Sequence, residues 1–247
     1  MILVSLLGLG YSFFVATRPK LDAVRSPIVY PDSHPRPPMA GDAEPASVEP
    51  GTASCDDLMV LVDQSHTVPP GYVPDDLVSL QDYGVPTRGS DSLRLRRDAA
   101  ENLKRLVDGA AMYGEELVVA SAYRSYEEQE SSHARLASIY GAGADGISAT
   151  PGHSQHQLGT AADFTNAAAS YEVWLPFGET SASWWLGQHA HEYGFVLAYP
   201  PGKEGETGYQ WEPWHYRYVG IGNAARFAES GLTLQKFLER EGVTPRC

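Results

Sequence analysis

The sequence of 247 residues predicts a single α+β domain that follows an N-terminal extension. Short apolar runs typical of buried strands are interspersed with longer segments whose apolar residues recur at helical spacing. These segments do not follow the regular strand–helix–strand order of a parallel α/β sheet, so we assign the α+β class. The chain is long enough to bury one full hydrophobic core, and no internal repeat is evident.

The first 54 residues predict a segment for export or anchoring and then a linker. Residues 2–16 are apolar and uncharged, shorter than the roughly 20 residues of a transmembrane helix, and typical of a signal-peptide core. We interpret residues 1–17 as a signal peptide or membrane anchor; a buried N-terminal strand or helix is the alternative. Residues 18–54 hold eight of the 18 prolines, which predicts a flexible Pro/Ala-rich linker. The folded domain is then 55–247.

Apolar runs and apolar periodicity predict the elements of this domain in order. The predicted strands are 58–62, 117–122, 160–164, 195–199 and 214–219. The predicted helices are 93–113, 126–140, 184–193 and 234–241, with 141–152 as a loop. Residues 93–113 are the clearest case: Leu95, Ala99, Leu103, Leu106 and Ala110 fall on one helical face.

The composition excludes some classes of function. The net charge is −13, and no cluster of Lys and Arg is present, so nucleic acid is not an expected partner. The only cysteines are Cys55 and Cys247, which excludes a cysteine-rich zinc ribbon. Either they pair in an oxidising compartment or they are two unrelated thiols, and the export signal favours the pair.

Residues 151–164, PGHSQHQLGTAADF, are the densest group of potential metal ligands. If the chain turns at Gly159 and continues as a strand, the side chains of His156 and Asp163 can reach one point. The small residues between them allow the backbone to approach a metal closely. Imidazole and carboxylate are both usual ligands of zinc, although a His and an Asp seven residues apart also occur often by chance.

Residues 210–220, QWEPWHYRYVG, supply a third potential ligand. His215 would complete a His, Asp, His set and leave the fourth position of zinc for water, as in a catalytic site. Glu212 would lie close enough to accept a proton from that water. Trp211 or Trp214, which flank Glu212, would line the substrate cleft. In isolation, this segment is more often a surface turn with a core Trp, so the prediction depends on both segments together.

Residues 121–129, SAYRSYEEQ, follow a predicted strand and place Arg124 at its end. There its guanidinium could neutralise a substrate carboxylate or the oxyanion formed during hydrolysis. The alternative is a structural ion pair between Arg124 and Glu127 or Glu128.

Together, these three segments resemble the zinc D-alanyl-D-alanine carboxypeptidases and dipeptidases, the VanY-like branch of peptidase family M15. The resemblance covers about residues 58–238 and rests on three motifs: Ser154-x-His156-x-x-Gly159-x-Ala161-x-Asp163, Glu212-x-x-His215, and the tripeptide Tyr123-Arg124-Ser125. It implies an α+β fold with a central antiparallel sheet flanked by helices, as in hedgehog and D,D-peptidase-like domains.

The resemblance also implies a role for each matching residue. One zinc ion is held by His156, Asp163 and His215. Glu212 is the general base, and Arg124 stabilises the transition state. The residues implied to bind substrate are Ser154 and Gln129, at its terminal carboxylate, together with Tyr123 and Trp214. Two positions depart from the family pattern: Gln155 stands where many relatives have Glu, and Ala198 where many have Arg.

The implied function is removal of the C-terminal D-Ala from peptidoglycan stem peptides or their precursors, outside the cytoplasm. The membrane would be contacted only through an uncleaved N-terminal anchor. One alternative is an L,D-carboxypeptidase that acts on tetrapeptide stems. The other is a zinc-containing cell-wall binding module without activity, which the presence of Glu212 and Arg124 disfavours.

Overall fold

A computed structural model describes residues 54–89 and 92–241. The predicted signal or anchor segment, nearly all of the predicted linker, and Cys247 lie outside the described residues. Their boundaries and the pairing of Cys55 with Cys247 therefore stay predictions. Within the described ranges, no helix combines the length and apolar character needed to cross a membrane.

The described part of the chain contains six strands and six α-helices. The strands are β1 (Leu77–Ser79), β2 (Arg94–Arg96), β3 (Val118–Ser121), β4 (Ala161–Thr165), β5 (Phe195–Leu197) and β6 (His215–Tyr218). The helices are α1 (Arg97–Met112), α2 (Tyr126–Tyr140), α3 (Ser181–His189), α4 (Glu204–Thr207), α5 (Ile221–Ser230) and α6 (Leu234–Arg240). Short 3-10 turns connect several of them, including Gln155–Leu158 and Ala190–Tyr193.

A four-stranded antiparallel sheet in the order β3-β4-β6-β5 forms the centre of the domain. This confirms the central antiparallel sheet that the family resemblance implied. Side chains alternate between the two faces of each strand. On one face, Phe164 and Tyr216 belong to the main hydrophobic core, together with Leu103 and Leu106 of α1 and Trp185 of α3. The opposite face carries polar side chains, among them Asp163 and His215.

Helix α2 spans the predicted range and begins with a capping box. The Ser125 hydroxyl accepts from the backbone N–H of Glu128, and the Glu128 carboxylate accepts from the backbone N–H of Ser125. The pair satisfies two backbone donors that the first turn leaves without partners. Because Ser125 directly follows Arg124, the cap fixes the point at which the chain leaves β3 for α2.

The predicted strand at 58–62 is wrong. These residues have no regular secondary structure, although Val60, Leu61 and Val62 are buried. The guanidinium of Arg217 on β6 donates to the backbone carbonyls of Leu58 (3.0 Å) and Val60 (2.6 Å). The fully buried Arg217 side chain thus satisfies two carbonyls that in a strand would accept from the backbone of a neighbouring strand.

The first predicted helix is correct in type but begins later than predicted. Residues 94–96 form β2, which pairs with β1 so that Leu95 lies opposite Val78. The apolar residue at 95 thus fits the helical periodicity but lies in a strand. Strand β1 and helices α4 and α5 were not predicted. The helix predicted at 184–193 is observed as α3 followed by the 3-10 turn Ala190–Tyr193, and the remaining elements agree within a few residues.

Gly194 provides a test of how the sheet joins the helices. It has φ +84° after the 3-10 turn, and a Cβ there would lie 2.6 Å from the ring of Tyr218 and 3.0 Å from the backbone N of Ile221. We expect Gly194→Ala to lower the free energy of unfolding by about 2–3 kcal/mol, measured by denaturant titration. The control is Gly187→Ala in α3, where a Cβ meets nothing within 4 Å. We expect that change to be neutral or stabilising by up to about 1 kcal/mol.

Candidate functional site

Two of the predicted metal ligands lie side by side on adjacent strands. The register pairs Asp163 of β4 with His215 of β6 and, on the other side, with Ser121 of β3. Directly paired residues project to the same face of a sheet, with Cβ atoms about 4.5–5.5 Å apart. The three side chains therefore form a polar row across the sheet, on the face opposite the main core.

His156 reaches this row from the turn before β4. The 3-10 turn Gln155–Leu158 starts at Ser154, whose hydroxyl accepts from the backbone N–H of His156, and ends at Gly159. Gly159 has φ +68°, and a Cβ there would lie 2.9 Å from Leu77 and 3.1 Å from Arg96. The chain thus turns at Gly159 as predicted, at a position where only glycine fits.

The three side chains converge on one point. The His156 Nε2 atom lies 3.3 Å from Asp163 Oδ2, and the His215 Nδ1 atom lies 2.9 Å from Asp163 Oδ1. One potential ligand atom from each residue lies within 4.8 Å of the others, and all three side chains are buried. This is the predicted His, Asp, His set, brought together from one turn and two strands.

The surroundings of the two imidazoles fit a bound cation. The outward nitrogens also face acceptors: His156 Nδ1 lies 2.7 Å from the Ala122 carbonyl, and His215 Nε2 lies 3.2 Å from Gln155 Oε1. A neutral imidazole can donate from one nitrogen only. If each imidazole donates from its outward nitrogen, the lone pair of its inward nitrogen faces the Asp163 carboxylate, and the two repel each other. A cation bound among the three groups removes this repulsion. Two imidazoles and one carboxylate are a usual donor set for Zn²⁺, and they leave one position open.

The charge states favoured by the site suit metal binding. Burial lowers the pKa of His156, and Arg124 contributes in the same direction, against the opposing effect of Asp163. Burial alone would raise the pKa of Asp163, but the neighbouring imidazoles of His156 and His215 outweigh it and hold that pKa well below its usual range. A neutral imidazole and an ionised carboxylate are the forms that ligate metals.

Glu212 lies beside the ligand cluster as predicted. Its carboxylate is 3.9 Å from His215 Nδ1, and it is buried. Backbone bonds hold it: its N–H donates to the Tyr199 carbonyl, and its carbonyl accepts from His215 N–H. Burial, followed by the nearby charge of Asp163, raises the pKa of Glu212 well above its usual value. A carboxyl group with a raised pKa can both accept and return a proton near neutral pH.

Arg124 enters the cleft from the end of β3. Its guanidinium donates to Gln129 Oε1 (2.9 Å) and to Ser121 Oγ (2.7 Å), and it lines the same cleft as the ligand cluster. Among the described residues, no carboxylate forms an ion pair with it, and Glu128 is used in the helix cap. This disfavours the structural ion pair considered from the sequence.

The predicted substrate-binding residues fall into two groups. Ser154, Gln129 and Trp214 line the cleft, which has a volume of about 320 Å³. Gln129 also accepts from Arg124 and donates to the hydroxyl of Ser148 and the carbonyl of Ala149, so its amide positions neighbouring groups. Tyr123 is not among the residues that line the cleft; its ring packs against the Arg94 guanidinium, 5.3 Å away.

Sequence reasoning missed three residues that contribute to the site. Gln155 was noted only as a departure from a family pattern, yet it holds the outer nitrogen of His215. Tyr199 stacks on the His215 ring at a centroid distance of 5.0 Å. Trp174 lines the cleft and stacks on Trp214. No local motif marks Tyr199 or Trp174, since each is positioned by contacts that are distant in sequence.

Comparison with known proteins finds a family of carboxypeptidases. Residues 92–221 match the family described as VanY, D-alanyl-D-alanine carboxypeptidase. The putative carboxypeptidase YodJ of Bacillus subtilis is 35% identical over 187 residues, which cover 75% of this chain and 68% of that protein.

Two solved structures show the same fold. The LD-carboxypeptidase LdcB, described in terms of peptidoglycan recognition, aligns with a TM-score of 0.70 at 34% identity and covers 78% of this chain and 89% of its own. A mutant of the D,D-pentapeptidase VanY from a VanB-type resistance cassette, in complex with Zn(II), aligns with a TM-score of 0.60 at 31% identity. That alignment covers 73% of this chain and 98% of the VanY chain.

The contact between Gln155 and His215 can be tested by its effect on metal affinity. We expect Gln155→Leu to weaken zinc binding by about 10- to 100-fold, because the imidazole loses the acceptor that orients it. Competition with a chromogenic chelator measures this without reference to activity. Gln157→Leu is the matched control on the same turn, since the Gln157 amide donates to the Pro69 carbonyl and not to a ligand. An equal loss of zinc affinity in both variants would show that the effect comes from packing of the turn and not from the contact with His215.

Proposed function

The chain belongs to the VanY family of D-alanyl-D-alanine carboxypeptidases, and we propose that it removes the C-terminal D-Ala from peptidoglycan stem peptides in a zinc-dependent reaction. The observation that carries this proposal is the buried cluster of His156, Asp163 and His215, with Glu212 beside it, in a cleft open to a peptide. A closed structural zinc site would use a fourth protein ligand.

The cluster of two histidines and one aspartate would hold the ion. When bound, Zn²⁺ supplies a Lewis acid and makes hydroxide available near neutral pH. Glu212 accepts the proton of the attacking water and then returns it to the leaving amine. Its raised pKa supports this double role, because a stronger acid would hold the proton too weakly to return it.

Arg124 stabilises the charge that develops on the scissile carbonyl oxygen. Ser121 and Gln129 fix its guanidinium through two hydrogen bonds, so the cation is oriented before the substrate binds. One well-placed donor of this kind contributes about 3–4 kcal/mol to transition-state stabilisation. We propose that Ser154, which starts the ligand turn and lines the cleft, contacts the terminal carboxylate of the substrate.

We extend the proposal to the location of the protein. Its substrate lies in the cell wall, so the catalytic domain would act outside the cytoplasm, with residues 1–17 as signal peptide or anchor and 18–54 as linker. The apolar run at 2–16 and the proline-rich composition that follows support this arrangement. In that oxidising setting, Cys55 and Cys247 would pair.

An L,D-carboxypeptidase that acts on tetrapeptide stems is the second candidate, because the LdcB structure is so similar. Both reactions use the same metal centre, base and arginine. Digestion of defined tetrapeptide and pentapeptide stems, followed by mass spectrometry, distinguishes them. We expect loss of one D-Ala from the pentapeptide, abolished by a chelator and restored by Zn²⁺. Cleavage of the tetrapeptide alone would establish the second candidate. No cleavage of either stem by the zinc-loaded protein would favour a binding module.

The roles of the base and the ligand predict different losses. We expect Glu212→Ala to retain zinc but to lose about 10²- to 10⁴-fold in kcat, because the proton acceptor is removed. We expect His215→Ala to lose both zinc and activity. Metal content by atomic emission and turnover of the pentapeptide are measured on the same preparations. Similar metal loss in both variants would contradict the separate roles.

A further inference from the structure

The two ends of the substrate cleft differ in chemistry. At one end, the lining includes the guanidinium groups of Arg124 and Arg135 and the amide of Gln129. At the other, it includes Val173, Trp174 and Trp214. A cleft that is cationic at one end and aromatic at the other binds a linear peptide in a preferred direction, provided that the peptide has one anionic end and one apolar segment.

The topology of the sheet sets these two ends apart. Ser121 of β3 pairs with Asp163, so Arg124, three residues further along, lies beyond the start of β4. Trp214 lies at the other end of β4, where its carbonyl accepts from Phe164 N–H. The segment that carries Trp174 follows the last residue of β4, Thr165. The cation and the indole therefore approach the metal centre from opposite ends of one strand.

Trp174 is exposed but held in place. Its ring stacks on Trp214 with an interplanar angle of 14° and a centroid distance of 6.3 Å, while 44% of its surface is accessible. Trp214 itself is buried, so the stack is fixed on one side and open on the other. Exposed tryptophan that is already ordered contributes contact area at a small entropic cost, which is why such residues often bind ligands.

The backbone before Trp174 is tied down at several points. Ser170 and Tyr171 both have positive φ values, 56° and 57°, which are uncommon for residues other than glycine. Thr165 Oγ1 donates to the Glu172 carbonyl, and the Tyr171 hydroxyl donates to the Glu116 carboxylate. The strained turn is therefore held by polar contacts at its base, and it presents Trp174 at the mouth of the cleft.

We infer that Trp174 binds the part of the substrate on the N-terminal side of the scissile bond, and so makes the enzyme selective for extended stems over the dipeptide. This inference rests on the proposed carboxypeptidase function. With the scissile carbonyl oxygen at Arg124 and the terminal carboxylate further toward Arg135, the chain that precedes the scissile bond runs toward the aromatic end. The open indole face packs against the methylene groups of the residue before D-Ala-D-Ala, a diamino acid such as lysine.

Two synthetic substrates test this assignment on the zinc-loaded protein: N-acetyl-Lys-D-Ala-D-Ala and N-acetyl-D-Ala-D-Ala, which lacks the lysine. We expect Trp174→Ala to raise KM for the longer peptide by about 3- to 10-fold with kcat unchanged, since an aromatic contact of this size is lost. The KM for the shorter peptide should change less than about twofold, because that peptide lacks the lysine that Trp174 contacts. Trp174→Phe should restore most of the affinity.

Trp184→Ala is the matched control, because Trp184 is also exposed, lies on α3, and is not among the residues that line the cleft. It should leave both KM values unchanged. Equal effects of Trp174→Ala on the two peptides, or no effect on either, would overturn the inference while leaving the proposed function intact. Failure of the wild-type protein to cleave either peptide would overturn the proposed function and this inference with it.

Discussion

The antiparallel pairing of β4 with β6 is the constraint on which the site depends. It places Asp163 directly opposite His215 and places Phe164 and Tyr216 on the other face, in the hydrophobic core. A slip of one residue would exchange the faces, bury Asp163 and His215 in the core and expose the aromatic rings. The apolar packing on one face thus fixes the geometry of the proposed metal site on the other, and the turn at Gly159 brings His156 to it.

The polar face of the sheet buries several ionisable groups within a short distance. Asp163, Glu212 and Arg217 are all buried there, and burial lowers the pKa of Arg217 to about 10. The groups are compensated in different ways. The carbonyls of Leu58 and Val60 accept from Arg217, and imidazoles surround Asp163. For Glu212, the nearby Arg124 only partly offsets burial and the charge of Asp163, so its pKa stays raised, which suits it to accept a proton and return it.

The proposed chemistry and the inferred selectivity depend on different parts of the fold. The proposed ligands, base and arginine lie on or beside the central strands, where main-chain pairing limits their movement. Trp174 lies on the segment after β4 and Arg135 lies on α2, both outside the sheet. Family members with different peptide preferences can therefore share one metal centre and differ in the segments around it, as the similarity to both LdcB and VanY indicates.

The sequence by itself determined the features that are encoded locally. The turn at Gly159, the proximity of Glu212 to His215 and the range of helix α2 each depend on a few consecutive residues, and all are found where predicted. The tertiary structure alone decided the irregular path of 58–62, the strand at 94–96, the acceptor role of Gln155 and the stack of Trp174 on Trp214. Each of these depends on a partner distant in the chain, and the energy of such a contact is absent from any local pattern.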